Sequence, residues 1–93
     1  MIATSLGDNI DKPPVPPIAI EIQTPENSLK IMRDKANYYL ANGSQIVLLI
    51  YPSKQIVEVY MSDERHLFTE EDVIDLSAVL PGFKLTVRDI FPQ

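Results

Sequence analysis

A regular pattern of apolar and polar residues begins at residue 18, after a proline-rich stretch at 13–17. This stretch predicts an extended segment, because proline fixes φ and lacks an N–H donor. Residues 18–23 then alternate with the period of two that is typical of a β-strand. One face of this strand is isoleucine throughout, and the other carries Ala19, Glu21 and Gln23. A strand face with two polar side chains is either solvated or part of a site.

A helix is predicted after this strand. Thr24, Asn27 and Ser28 are candidate N-caps, and the helix is expected to run to about Ala41. Asn42-Gly43 predicts its end, since glycine and asparagine favour the left-handed backbone that closes helices. The apolar stripe follows spacings of three and four residues and comprises Leu29, Met32, Ala36, Tyr39 and Leu40. Lys30 and Asp34, four residues apart, are expected on the exposed side.

Two further strands follow the helix. Residues 45–51 are apolar almost throughout, which is typical of a strand buried on both faces. A short turn at 52–55 leads to a third, alternating strand at 56–61, so these two strands should pair antiparallel. The first two strands are joined by a helix and should therefore be parallel.

The C-terminal part is less regular. We predict a polar turn at 62–65, short strands at 66–69 and 73–76, a tight turn at 80–83, and one helical turn at 87–91. Together the elements predict an α/β fold with a mixed sheet and one crossover helix, in the order strand, helix, strand, strand, followed by short C-terminal elements.

Composition narrows the functional classes. The chain has 93 residues, 8 basic against 13 acidic, for a formal net charge of −5, which argues against tight DNA binding by this chain alone. It has no cysteine, so thiolate metal sites and disulfides are excluded and a reducing cytoplasm is expected. No stretch approaches the roughly 18 apolar residues of a membrane span. The single histidine, His66, and the acidic turn at 70–72 are expected to be solvated.

Five segments in the same order carry a resemblance to a known family. They are 16–28 with Glu21 at its centre, 35–43, 46–52, 57–60, and the C-terminal pair 79–83 and 87–91. Their order and spacing resemble the Uma-two family of restriction endonucleases, which belongs to the PD-(D/E)xK superfamily and is abundant in cyanobacteria. The resemblance covers residues 13–91, so we divide the chain into an unassigned segment, 1–12, and a partial restriction-endonuclease-like domain, 13–93.

The resemblance implies a Mg²⁺-dependent DNA endonuclease and three site residues. Glu21 matches the metal-binding glutamate, and Gln23 stands where the superfamily carries its lysine. Lys35, on the following helix, would replace that lysine if its side chain points back at the sheet. Mg²⁺ usually needs one or two carboxylates together with phosphate oxygens, and Glu21 alone would be a weak site.

The departures from the family matter equally. A full-length member is about twice as long, and its N-terminal half supplies the aspartate of the superfamily motif. Asp8 and Asp11 lie in an unpatterned segment and are not assigned that role, and Pro17 stands where some members have a second aspartate. The chain is therefore expected to be truncated and catalytically incomplete, with Mg²⁺ bound only if another segment or chain completes the site.

Two functions stay open on the sequence. One is an endonuclease, with DNA as its partner. The other is a non-catalytic interaction or regulatory module that uses the same fold. Without the N-terminal half, the first strand would lack a neighbour, and an exposed apolar edge invites pairing. We therefore expect a homodimer or a complex with a separately encoded N-terminal half, and no membrane partner.

Overall fold

The computed structural model describes residues 15–61 and 63–91. The aspartates and the first two prolines discussed for segment 1–14 lie outside these residues. The elements in chain order are β1 (Ile18–Ile22), α1 (Leu29–Ala41), β2 (Ile46–Tyr51), β3 (Ile56–Met61), β4 (Glu64–Phe68), β5 (Val73–Asp75), β6 (Lys84–Thr86) and α2 (Val87–Ile90).

Four strands form one mixed sheet in the order β1-β2-β3-β4. β1 and β2 are parallel, with Glu21 opposite Leu49, whereas β2 and β3 are antiparallel, with Leu49 opposite Glu58. β4 adds to β3 antiparallel, and β5 and β6 form a separate two-stranded sheet. The predicted α/β fold with a mixed sheet is confirmed, including the directions of the first three strands.

The core has two layers because every residue of β2 is buried. On one face, Val47, Leu49 and Tyr51 pack under α1, whose residues Met32 and Ala36 have no exposed surface. On the other face, the remaining β2 residues pack against the C-terminal elements, in a cluster that includes Ile74, Leu76, Val87 and Phe91. The helix and the C-terminal elements therefore keep water from opposite faces of the same strand.

The ends of α1 follow the sequence signals. Ser28 is the N-cap, and its hydroxyl accepts a hydrogen bond from the backbone N–H of Ile31 at 3.2 Å. After the helix, Gly43 adopts a φ of +114°, a conformation that L side chains rarely adopt. Lys30 and Asp34 form the expected exposed pair at 2.9 Å. Within the described residues, neither helix is both long and apolar enough to cross a lipid bilayer.

Several expectations for individual residues were wrong. Leu29, placed on the apolar stripe, is 46% exposed, because it lines an open cavity and is not packed in the core. The polar turn predicted at 62–65 ends early: Glu64 and Arg65 already belong to β4 and pair with β3. β6 was not predicted, since its three residues are too few to show a period.

One face of β1 is uncovered. β1 is the terminal strand of the four-stranded sheet, so among the described residues its outer edge has no strand neighbour. Ile20 and Ile22 are 55% and 56% exposed, because the core cluster on this side of the sheet reaches β1 only at Ile18. The isoleucine face of the first strand is thus largely a surface, and it lies opposite the face that α1 covers.

Removing the α1 cap should destabilise the fold measurably. We expect Ser28→Ala to lower the free energy of unfolding by about 0.5–2 kcal/mol, since it deprives the Ile31 N–H of its acceptor. Urea denaturation followed by circular dichroism measures the change. Ser53→Ala, in the exposed β2–β3 turn, is the matched control and should leave the unfolding midpoint unchanged. Equal midpoints for Ser28→Ala and the wild type would contradict the assigned cap.

Candidate functional site

Glu21 lies on the β1 face that α1 covers, and two helix side chains contact it. The Nζ atom of Lys35 is 3.4 Å from Oε1 of Glu21, and the Tyr39 hydroxyl donates to Oε2 at 2.9 Å. Lys35 and Tyr39 are four residues apart and so lie on one face of the helix, above the strand. Lys35 therefore does point back at the sheet, which was the condition for its predicted role.

Tyr39 acts as a stable donor to this carboxylate. The hydrogen bond to Glu21, together with partial burial and the negative charge of Glu21, raises the pKa of the Tyr39 phenol. The hydroxyl therefore stays protonated at neutral pH. Because the lysine contacts one carboxylate oxygen and the phenol contacts the other, the carboxylate of Glu21 is held in a fixed orientation.

Gln23 is separated from this pair. Its side-chain amide nitrogen donates to the carbonyl of Asn27 at 2.8 Å, and its backbone N–H donates to the carbonyl of Ile50 at 2.9 Å. The side chain thus fastens the turn between β1 and α1. Of the three predicted site residues, the structure brings Glu21 and Lys35 together and places Gln23 at the neighbouring turn.

A second, more deeply buried carboxylate lies on the same face of the sheet. Glu58 of β3 is only 4% exposed. Arg33 donates to it through Nη2 at 2.8 Å and Nε at 3.4 Å, and the Tyr51 hydroxyl donates at 2.8 Å. The Nε atom of Arg65 lies 3.7 Å from the same carboxylate. Glu58 is thus fully surrounded by donors, as a buried charge requires.

These contacts decide the ionisation of the Glu58 cluster. Burial raises the pKa of Glu58, but the hydrogen bonds from Arg33 and Tyr51 and the two arginine charges outweigh it, so the net pKa is lowered. Burial, followed by the hydrogen bond to Glu58, raises the pKa of the Tyr51 phenol. The cluster therefore holds an ionised carboxylate and a neutral phenol at neutral pH.

The sequence analysis missed Glu58 as a site residue. Its strand alternates between Ile56, Glu58 and Tyr60 on one face and valines on the other, which by itself indicates only an ordinary amphipathic strand. The sheet register provides the missing information, because Glu21, Leu49 and Glu58 lie in one row across three strands. The middle of α1 covers Leu49, and one carboxylate lies on each side of the helix.

Comparisons with known proteins bear on the family and the fold of the chain. The model of the Uma2 family, described as "Putative restriction endonuclease", matches residues 3–88. The chain belongs to the Uma2 family. A crystal structure of a protein from Anabaena variabilis ATCC 29413, described as a "putative nuclease belonging to DUF820", is similar to this Uma2 chain with a TM-score of 0.73 and 26% identity. None of the curated proteins matches the chain.

The similarity to the Anabaena protein covers 83% of this chain and 44% of that one. This Uma2 chain thus spans less than half the length of the nuclease-like structure that it matches. The predicted resemblance to the Uma-two family is confirmed, and the mixed α/β fold is that of the described nuclease.

The described residues do not by themselves form the Mg²⁺ site that the family implies. They contain no group of three or more carboxylate or histidine side chains placed to hold an ion. Both oxygens of Glu21 already have partners. Glu58 lies two strands away, at a spacing of roughly 10 Å, whereas Mg²⁺ binds its oxygen ligands at about 2.1 Å. Each carboxylate is held by its own donors on its own side of α1, so the two do not meet at one ion in this structure.

The other titratable residues singled out in the sequence have local roles. His66 lies on the exposed strand β4, not in a turn, and its Nε2 atom is 2.9 Å from Glu64. In the acidic turn, Asp72 accepts a hydrogen bond from the backbone of Thr69 at 2.7 Å, and Glu71 pairs with Arg88. These contacts fix the C-terminal elements in place and leave the turn solvated.

The Glu58 cluster predicts an acid-sensitive fold. The pKa of Glu58 is lower in the folded state than its ordinary value of 4.5, so ionised Glu58 stabilises the fold at pH values above 4.5. This stabilisation is lost as the pH falls through the lower pKa of the folded state. Glu58→Gln should unfold about 1–3 kcal/mol more easily at pH 7, because Arg33 loses its charged partner. Its stability should also change less than that of the wild type below pH 4.5.

Chemical denaturation at a series of pH values measures both effects. Glu70→Gln is the control, since Glu70 is exposed and makes no side-chain hydrogen bond among the described residues. It should retain the wild-type stability and pH profile. Parallel profiles for the wild type and Glu58→Gln would show that Glu58 does not carry this dependence.

Proposed function

We propose that this Uma2 chain is the glutamate- and lysine-bearing part of a metal-dependent DNA endonuclease. The observation that supports the proposal best is the contact of Lys35 with Glu21 at 3.4 Å. A carboxylate and a lysine side by side are the pair that metal-dependent phosphodiester cleavage uses. The family description and the described nuclease from Anabaena support the same function.

In this proposal each side chain has a separate task. Glu21 supplies one oxygen ligand to Mg²⁺, and Lys35 offers a positive charge to the phosphate. Gln23 positions the end of β1 through its hydrogen bond to Asn27. A single carboxylate is not enough, so the second one has to come from outside the described residues, and a single copy is catalytically incomplete.

We further propose that a second copy of the chain supplies it, paired along the edge of β1 that has no strand neighbour among the described residues. In an antiparallel pair, residues opposite each other lie on one face of the joined sheet. Pairing around Ile20 or Glu21 would place the two Glu21 side chains on the α1 face, with their Cβ atoms roughly 5–8 Å apart. The same pairing would bring the exposed Ile20 and Ile22 of both copies together on the opposite face.

The cleavage test uses plasmid DNA with Mg²⁺, and then Mn²⁺, at protein concentrations that favour the dimer. We expect nicking by the wild type. Glu21→Gln and Lys35→Met should each reduce the rate by roughly 100-fold or more, as expected when a group that stabilises developing charge is removed. Chelation by EDTA should stop the reaction.

Two matched controls lie close to the site. Glu26→Gln changes an exposed glutamate in the β1–α1 turn, and Lys30→Met changes a lysine of the same helix that pairs with Asp34. Both should cleave at the wild-type rate. If no cleavage occurs with either metal while the chain is dimeric, the endonuclease proposal is wrong and the fold serves as an interaction module.

The pairing is tested by sedimentation velocity. We expect the wild type to be a dimer at micromolar concentration and Ile20→Lys/Ile22→Lys to be monomeric, because charge on an exposed strand prevents edge pairing. Val73→Lys is the control, since Val73 is 50% exposed on β5, and this variant should stay dimeric. A monodisperse wild-type monomer would contradict the second-copy proposal and favour a separately encoded N-terminal half as the partner.

A further inference from the structure

A cavity of about 310 Å³ lies on the α1 face of the sheet, on the side of the helix away from Glu21. The beginning of α1, with Leu29 and Arg33, forms one side. β3, β4 and the β2–β3 turn form the rest, with Glu58 and Tyr51 among the buried lining residues. The cavity is thus built around the Glu58 cluster, which the proposed cleavage site does not use.

The cavity concentrates positive charge on an acidic chain. Three of the 8 lysines and arginines line it, namely Arg33, Lys54 and Arg65, although the net charge of the chain is −5. Among the described residues Glu58 is the one carboxylate in the lining, so they give the cavity an excess of two positive charges. This distribution favours an anionic ligand.

Glu58 leaves much of this charge available. It engages Nε and Nη2 of Arg33, which leaves Nη1 of that guanidinium without a hydrogen bond among the described residues. The Arg65 side chain is 54% exposed, and its Nε atom lies 3.7 Å from Glu58, which is too long for a hydrogen bond. Lys54 is exposed and has no ion pair within the described part of the chain. The buried carboxylate therefore orients Arg33 and does not neutralise the cavity.

The walls of the cavity are apolar. Leu29 and Leu67 line it while remaining 46% and 59% exposed, and Ile56 lines it between them and the Glu58 cluster. Exposed leucines beside unneutralised cations suit a ligand that joins a charged group to a flat, weakly polar one. A nucleotide has this combination, and arginine recognises both of its parts, by hydrogen bonds to phosphate and by stacking on the base.

We propose that this cavity binds a nucleotide unit, with its phosphate at Arg33, Lys54 and Arg65 and its base or sugar against Leu29 and Leu67. A nucleic-acid strand and a free nucleotide both carry such a phosphate, and the open, half-exposed walls favour a strand passing through. The inference does not rest on cleavage at Glu21, because binding here needs neither the metal nor the second carboxylate.

The test measures binding in EDTA, which removes metal chemistry from the result. Fluorescence polarisation of a short labelled single-stranded oligonucleotide should show saturable binding to the wild type at low salt. Lys54→Ala/Arg65→Ala should weaken it by roughly tenfold, and each cation removed should reduce the slope of log K against log salt by roughly 0.7. Because Arg65 also lies near Glu58, binding is measured well below the melting temperature of the variant, and Lys54→Ala alone, which has no ion pair among the described residues, should weaken binding without changing that temperature.

Controls separate this cavity from general electrostatic attraction. Lys84→Ala/Arg88→Ala removes the same charge from the C-terminal elements, outside the cavity, and should bind like the wild type once its fold is verified. Leu67→Ser should weaken binding of the oligonucleotide but not competition by inorganic phosphate. The proposal would be overturned if Lys84→Ala/Arg88→Ala lost as much oligonucleotide affinity as Lys54→Ala/Arg65→Ala. It would also be overturned if the wild type bound neither the oligonucleotide, nor adenosine monophosphate, nor phosphate.

The competitors identify the source of the phosphate. Displacement of the oligonucleotide by adenosine monophosphate, with tighter binding of the monophosphate, would assign the cavity to free nucleotides. Much weaker competition would assign it to nucleic acid. If inorganic phosphate displaced the oligonucleotide as effectively as adenosine monophosphate does, the apolar walls would not contribute to binding. That result would overturn the nucleotide assignment. Oligonucleotide binding in EDTA without plasmid cleavage in Mg²⁺ would support this cavity and contradict only the endonuclease.

Discussion

The complete burial of β2 is the constraint on which the other elements depend. Its six residues are apolar on both faces, so each face must be covered for the strand to be stable. The helix that returns the chain from β1 covers one face, and the C-terminal hairpin with α2 covers the other. β3 is held beside β2 by a short turn in which Gln55 adopts a φ of +55°. The two glutamates with cationic and phenolic partners therefore lie on β1 and β3, on either side of the covering helix.

The position of α1 explains why two polar clusters of the same design lie on one sheet face. The helix lies above Leu49, with Lys35 reaching toward β1 and Arg33 toward β3. Arg33 and Lys35 are two residues apart, which corresponds to a rotation of roughly 200° about the helix axis. Their side chains therefore extend from opposite sides of the helix. Each meets a carboxylate that also accepts a tyrosine hydroxyl, from Tyr39 in one case and Tyr51 in the other. One helix thus fixes the orientation of both carboxylates.

Much of this fold could be predicted from hydrophobic periodicity, because β1, α1, β2 and β3 are long enough to show it. The sequence left the role of Lys35 conditional on the direction of its side chain, because the packing of α1 on the sheet decides that direction. Glu58 could not be identified, since its importance depends on the register that aligns it with Glu21 across Leu49. The exposure of Ile20 and Ile22 was equally hidden, because an apolar face does not reveal whether anything covers it. β6 and the early start of β4 were missed because pairing, and not local pattern, creates them.

The row that holds both carboxylates also shapes how the protein can evolve. Leu49 and the middle of α1 separate Glu21 from Glu58, and each carboxylate has its own cation and its own phenol. Substitutions at sites that share no partners act almost additively. Selection can therefore relax on one cluster without disturbing the other. A lineage that loses Lys35 or Glu21 keeps the Arg33–Glu58–Tyr51 cluster intact, so descendants of a single ancestor can diverge into proteins that retain only one of the two clusters.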